Sequence, residues 1–137
     1  MSLPQDIKLF IAIVDDRVDD HFLIERALGE YRNIKFRSFY DGQQLIDFLL
    51  SEKGKTQMPN IVLIDVNMPT LSGYDTIQRL KEHRELNSIY FVIFSNSTEF
   101  DFLRHQDLGV DSYTKPQTFD KLKSLLEKII EDYQKRP

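Results

Sequence analysis

The sequence predicts an α/β fold, a doubly wound sheet of five parallel strands with helical crossovers. Three observations predict it. Short apolar runs recur along the chain, and the first, third and fourth are almost continuously apolar, as in strands buried on both faces. Segments with helical spacing of apolar residues fall between them. Glycine, serine and proline mark the boundaries at Ser72-Gly73, Gly109 and Lys115-Pro116.

The strands are expected at Leu9–Val14, Ile34–Phe39, Ile61–Ile64, Tyr90–Phe94 and, more weakly, Asp111–Thr114. Ile34–Phe39 alternates for part of its length, which suits a place near an edge. Helices are expected over Asp20–Tyr31, Gly42–Leu50, Tyr74–His83 and Glu99–Leu108. In the last one, Phe119, Leu122, Leu125, Leu126, Ile129, Ile130 and Tyr133 keep a 3.6-residue period. Ser51–Pro59 reads as a polar loop.

The 137 residues suit one domain over 1–137, with residues 1–6 as a flexible N-terminal tail. With 41% hydrophobic and 29% charged residues the chain can bury a core. A net charge of -4 argues against nucleic acid as a partner. No cysteine is present, which excludes disulfides, thiolate metal sites and cysteine nucleophiles. No apolar run approaches the about 20 residues of a membrane span, and the N-terminus lacks the pattern of a signal peptide. A cytoplasmic protein without membrane attachment is expected.

In open α/β sheets the ligand crevice lies at the carboxyl ends of the strands. Asp15 and Asp16 follow the first strand, Asp65 the third, Ser95 the fourth and Lys115 the fifth. Each has an ordinary reading alone: Asp15-Asp16 as a turn and helix cap, Asp65 and Ser95 as turn residues, Lys115 as a solvated lysine. Together they gather three carboxylates, a hydroxyl and an ammonium on one rim. Crowded carboxylates repel, and a hard divalent cation such as Mg²⁺ relieves this while still accepting a phosphoryl oxygen. The set suits a carboxylate that attacks phosphorus while positive charge neutralises the phosphoryl oxygens.

These residues carry a resemblance to the receiver domains of two-component response regulators. It covers nearly the whole chain: Asp15-Asp16 after Ile11-Ala12-Ile13-Val14, Ile64-Asp65-Val66-Asn67-Met68-Pro69 with Ser72-Gly73, Ser95 after Phe91-Val92-Ile93-Phe94, and Lys115-Pro116. The resemblance implies a CheY-like, flavodoxin-like (βα)5 sheet of strand order 2-1-3-4-5. It implies that Asp65 is the phosphoacceptor, fed by a histidine kinase or phosphotransfer protein. Asp15, Asp16, Asp65 and the backbone carbonyl of Asn67 would hold Mg²⁺, with Mn²⁺ as a substitute, Asp15 acting through water. Ser95 and Lys115 would bind the phosphoryl group, with Ser95 moving inward on activation, and the peptide bond to Pro116 would be cis. Gly73 would close the turn into the next helix. The product would be a phosphoprotein of phosphorelay signalling, a stand-alone switch that controls an unidentified downstream protein target, rather than a turnover enzyme.

Three departures from the family pattern stand out. The aromatic residue usual three positions before the lysine is replaced by Ser112, and Tyr113 lies one residue nearer, on the opposite face of an unbulged strand. Asn96 follows Ser95 where a small residue is usual, which narrows access to the site. The stretch from Ser95 to Lys115 is short. Both Asn96 and Tyr113 are therefore candidate modulators. Homodimerisation is expected through the face of the fourth helix, fifth strand and fifth helix, where Tyr113, Phe119 and Tyr133 lie, Phe119 fitting a core position better.

Two other readings compete. A pseudo-receiver would act as a phosphorylation-independent interaction module. A haloacid-dehalogenase-type phosphohydrolase would need a second carboxylate two residues after the nucleophile, and Asn67 stands there.

Overall fold

The computed structural model describes residues 3–96 and 107–137. Five strands form one sheet: β1 (Leu9–Val14), β2 (Ile34–Phe39), β3 (Ile61–Ile64), β4 (Tyr90–Ser95) and β5 (Asp111–Thr114). All pairings are parallel and the order is β2-β1-β3-β4-β5. The described helices are α1 (Val18–Ala27), α2 (Gly42–Leu49), α3 (Glu52–Thr56), α4 (Gly73–Leu80) and α5 (Phe119–Gln134), with a 3₁₀ turn at Arg84–Leu86. The expected helix over Glu99–Leu108 lies largely outside the described residues.

Alternation along the central strands builds two cores. Ala12, Val14, Val62, Ile64, Phe91 and Ile93 face one side, where they meet Leu45 and Leu49 of α2 and Ile77 and Leu80 of α4. Ile11, Ile13, Ile61, Leu63, Val92 and Phe94 face the other, against Ile24 and Ala27 of α1 and Leu122, Leu126 and Ile129 of α5. This two-sided burial explains the unbroken apolar runs. β5 lies at the edge, with Asp111 and Thr114 exposed.

Local chemistry sets the helix starts. Side chains of Asp41, Ser51, Ser72 and Thr118 accept hydrogen bonds from backbone N–H groups in the first turns of α2, α3, α4 and α5. α1 differs: its N-cap is Arg17, with no side-chain cap.

The structure corrects several expectations. Ser51–Pro59 is not all loop, because α3 fits between the Ser51 cap and a close packing of Gly54 on the Phe48 carbonyl. α1 starts two residues earlier than its apolar pattern suggested, since Asp19 and Asp20 occupy its first turn where acids suit the helix dipole. The first residues pack from Leu3 onward, which is 5% exposed, because Ile7 N–H turns back to Pro4 and carries Leu3 into the α1/α5 core. Among the described residues no peptide bond is cis, so the bond before Pro116 is trans. The trans form is the one a prolyl bond takes unless its surroundings override it, and Lys115 N–H continues the β5 ladder to the Ser95 carbonyl at 3.0 Å. No described helix is long and apolar enough to cross a membrane.

Candidate functional site

The parallel register places the carboxyl ends of β1, β3, β4 and β5 side by side, with Val14 opposite Ile64, Ile64 opposite Ile93 and Ser95 opposite Thr114. The ladder runs on past the strands. Asp15 N–H donates to the Phe39 carbonyl and Asp65 N–H to the Val14 carbonyl, both at 3.0 Å. Two acids are thus fixed by their own backbone at the rim of the sheet.

Both oxygens of the buried Asp65 are engaged. Ser95 Oγ donates to Oδ1 at 2.6 Å, Asn67 N–H donates to the same atom at 3.2 Å, and Lys115 Nζ lies 3.3 Å from Oδ2. The Asn67 contact folds the turn back over the carboxylate. Ser95 is fully buried, with its hydroxyl turned to the site. The reason is the Asp65 carboxylate, a strong acceptor in a place largely closed to water.

Behind Asp65 the turn is tightly built. A Cβ on Gly73 would lie 2.4 Å from the Asp65 carbonyl oxygen, so glycine is required for α4 to start this close to β3. Thr70 has φ 71°, a left-handed conformation costly for a β-branched residue.

Lys115 is the hub of the charges. Its Nζ lies 2.5 Å from Asp15 Oδ2, 2.8 Å from Asp20 Oδ2 and 3.3 Å from Asp65 Oδ2. Burial disfavours its charge, but the hydrogen bonds and charges of these acids outweigh burial and hold its pKa above the usual lysine range. Burial pushes Asp15 up to about 6; the Lys115 contact and the Arg17 N–H oppose this and the Asp65 charge adds to it. For Asp20 burial also acts upward, but Lys115 outweighs it and the carboxyl sits below its ordinary value.

Asp15, Asp16 and Asp65 can each offer an oxygen to one point, all within 4.8 Å of one another. Oxygen donors of this kind fit a hard divalent cation, and the exposed Asp16 leaves room for metal-bound water. The ordinary reading of Asp15-Asp16 as a helix cap fails, since α1 is capped at Arg17 and Asp15 Oδ1 instead accepts from Arg17 N–H at 2.9 Å.

The structure therefore brings Asp15, Asp16, Asp65, Asn67, Ser95 and Lys115 together. Asn96 is exposed and lines a cleft of about 60 Å³ with Asp20, Lys115 and Pro116. Tyr113 is not at the rim. It pairs with Phe94 on an unbulged strand, packs on the α5 side and donates to Asp132 at 3.0 Å. Phe119, expected to suit the core, is 41% exposed with the Arg26 guanidinium over its ring. Two residues escaped sequence reasoning. The apolar pattern marks Asp20 only as the start of a helix, although a second acidic pair, Asp19-Asp20, so soon after Asp15-Asp16 is the available signal. His21 is buried and its Nε2 donates to the Asp15 carbonyl at 2.7 Å, a contact with no sequence signature.

Comparison with known proteins gives the family and the fold. The family model described as the response regulator receiver domain matches residues 11–127. A probable methanogenesis regulatory protein, FilR2 of Methanothrix harundinacea, is 34% identical over 127 residues, covering 88% of this chain and 81% of its own. A probable chemotaxis protein CheY of Rhizobium etli is 27% identical over 132 residues, covering 94% and 96%. Among solved structures, the phosphorylated cyanobacterial phytochrome response regulator RcpA superposes with a TM-score of 0.81 at 25% identity, over 94% of this chain and 96% of that one. The Mn²⁺-bound form of response regulator Rcp1 gives 0.78 at 23% identity with the same coverage. The chain belongs to the response regulator receiver domain family.

Proposed function

We propose that this chain is a phosphorylation switch in which Asp65 accepts a phosphoryl group from a histidine kinase or phosphotransfer protein. The observation that carries the reading is the convergence of Ser95 and Lys115 on the two oxygens of Asp65, beside Asp15 and Asp16. An Asp65 oxygen attacks phosphorus, the O–P bond forms, and the P–N bond to the donor imidazole breaks with its electron pair returning to nitrogen. Ser95 Oγ–H turns from Asp65 to a phosphoryl oxygen, and Lys115 offers its charge to another. Asp15, Asp16 and Asp65, with the Asn67 carbonyl, would hold Mg²⁺ or Mn²⁺, and the bound cation supplies positive charge against the phosphoryl oxygens.

The product adds charge and strong acceptors at the rim, which gives Ser95 and Lys115 a contact they lack otherwise. That difference is what a switch needs. The output is a change in protein contact, with a target or a second copy docking near the β5–α5 face. The chain handles its own acyl phosphate and is not a turnover enzyme on small phosphate esters. Such a switch works in the cytoplasm. α1 exposes Val18 and Phe22 beside the rim, 65% and 62% accessible, which suits the docking of a phosphodonor protein.

The test is ¹⁹F NMR with beryllofluoride and Mg²⁺. A bound signal that EDTA removes is expected. Its absence would favour a phosphorylation-independent interaction module.

A further inference from the structure

Lys115 Nζ has three hydrogens, and all three are spent on carboxylates: Asp15, Asp20 and Asp65. Two of these acids belong to the cluster that fits a divalent cation, Asp15 and Asp65. A cation there would draw on the same oxygens and repel the ammonium. Lys115 has little route to water, with a side chain 7% exposed. Asp20 differs from the other two. It stands on the first turn of α1, is 18% exposed, and is not among the three acids that can share one ion.

We propose that Asp20 is the resting partner of Lys115 when a divalent cation occupies the cluster. The ammonium then shifts its contacts from Asp15 and Asp65 to Asp20, stays at the rim, and does not compete with the cation. This rests on the metal-binding part of the proposed function. Asp20 is a positioning residue, since it acts through Lys115 and not on the ion. Its removal leaves Lys115 only the carboxylates that the cation needs, so cation affinity falls. The loss depends on Lys115 being present.

The test is Mn²⁺ affinity, read from the electron paramagnetic resonance of the free ion. It compares the unmodified chain, Asp20→Ala, Lys115→Met and the double variant. Lys115→Met keeps the apolar stem, Asp20→Asn repeats the test with the side-chain shape retained, and thermal unfolding checks that each variant folds. Asp20→Ala is expected to weaken Mn²⁺ binding about tenfold with Lys115 present. In the Lys115→Met background the same change should weaken it by less than about threefold, the gap measuring the coupling. Equal losses in both backgrounds would overturn the proposal, since Asp20 would then act only as one more negative charge. No loss with Lys115 present would overturn it as well. If the unmodified chain binds no Mn²⁺, the metal reading fails and takes this proposal with it. Binding with an additive cycle defeats the proposal alone.

Discussion

Asp15 is nearly closed off from solvent, and its carboxyl is raised from 3.8 to about 6. Across that window the folded chain holds a proton that the unfolded chain has released. Its contribution to stability therefore falls as pH rises from about 4 to about 6 and stays unfavourable above. Asp15→Asn should stabilise the fold by about 1–2 kcal/mol at pH 7.5 and by much less at pH 4. The full shift corresponds to about 3 kcal/mol, but Lys115 loses one partner in the variant. Thermal unfolding at both pH values checks this, and equal stabilisation at both would contradict it. Asp20 runs the other way. Its lowered pKa gives stability that is present at neutral pH and lost on acidification. At the mouth of the site, Asn96 lines the cleft beside Lys115. Asn96→Ala should change the rate of phosphorylation or hydrolysis, and equal rates would sink the idea that it narrows access.

The elements that carry the site also set its limits. α4 starts against the Asp65 carbonyl, so Gly73→Ala should destabilise by about 2 kcal/mol or more and disturb the acceptor itself. Thr70→Gly should stabilise by up to about 1 kcal/mol by relieving the left-handed threonine. Chemical denaturation reads both. α1 offers a different kind of test. Phe22→Glu should slow phosphotransfer from a phosphohistidine protein several-fold yet leave phosphorylation by acetyl phosphate unchanged, because Phe22 is 62% exposed on the outside of α1. Equal slowing with both donors would remove α1 from the docking face.

Much of the site is legible in the sequence for a simple reason. Parallel strands end on one rim, so a polar residue after each apolar run must join the others there. Asp15, Asp65, Ser95 and Lys115 were found this way. Tyr113 follows from alternation, and its contact with Asp132 places it where an unbulged strand must. What stayed hidden depends on how far a helix turns before its side chains return to the rim. The contacts of Asp20 and His21 with the site depend on α1 starting at Val18, which no apolar period marks. α3 has five residues, too few for a helical period to show. The trans bond before Pro116 and the inward Ser95 are choices between local states, and neighbours in space decide them.

For the molecule as a whole, three acids hold one ammonium and a fourth, Asp16, stands beside two of them, and an entering cation should relieve the excess negative charge. Mg²⁺ at 100 times its dissociation constant should stabilise the folded chain by about 2.7 kcal/mol. A rise in the unfolding midpoint with Mg²⁺ that disappears in Asp65→Asn would agree with this. The most direct measurement is intact mass after incubation with acetyl phosphate and Mg²⁺. The account predicts a gain of one phosphoryl group that is absent from Asp65→Asn. No gain in the unmodified chain, or an equal gain in Asp65→Asn, would contradict it.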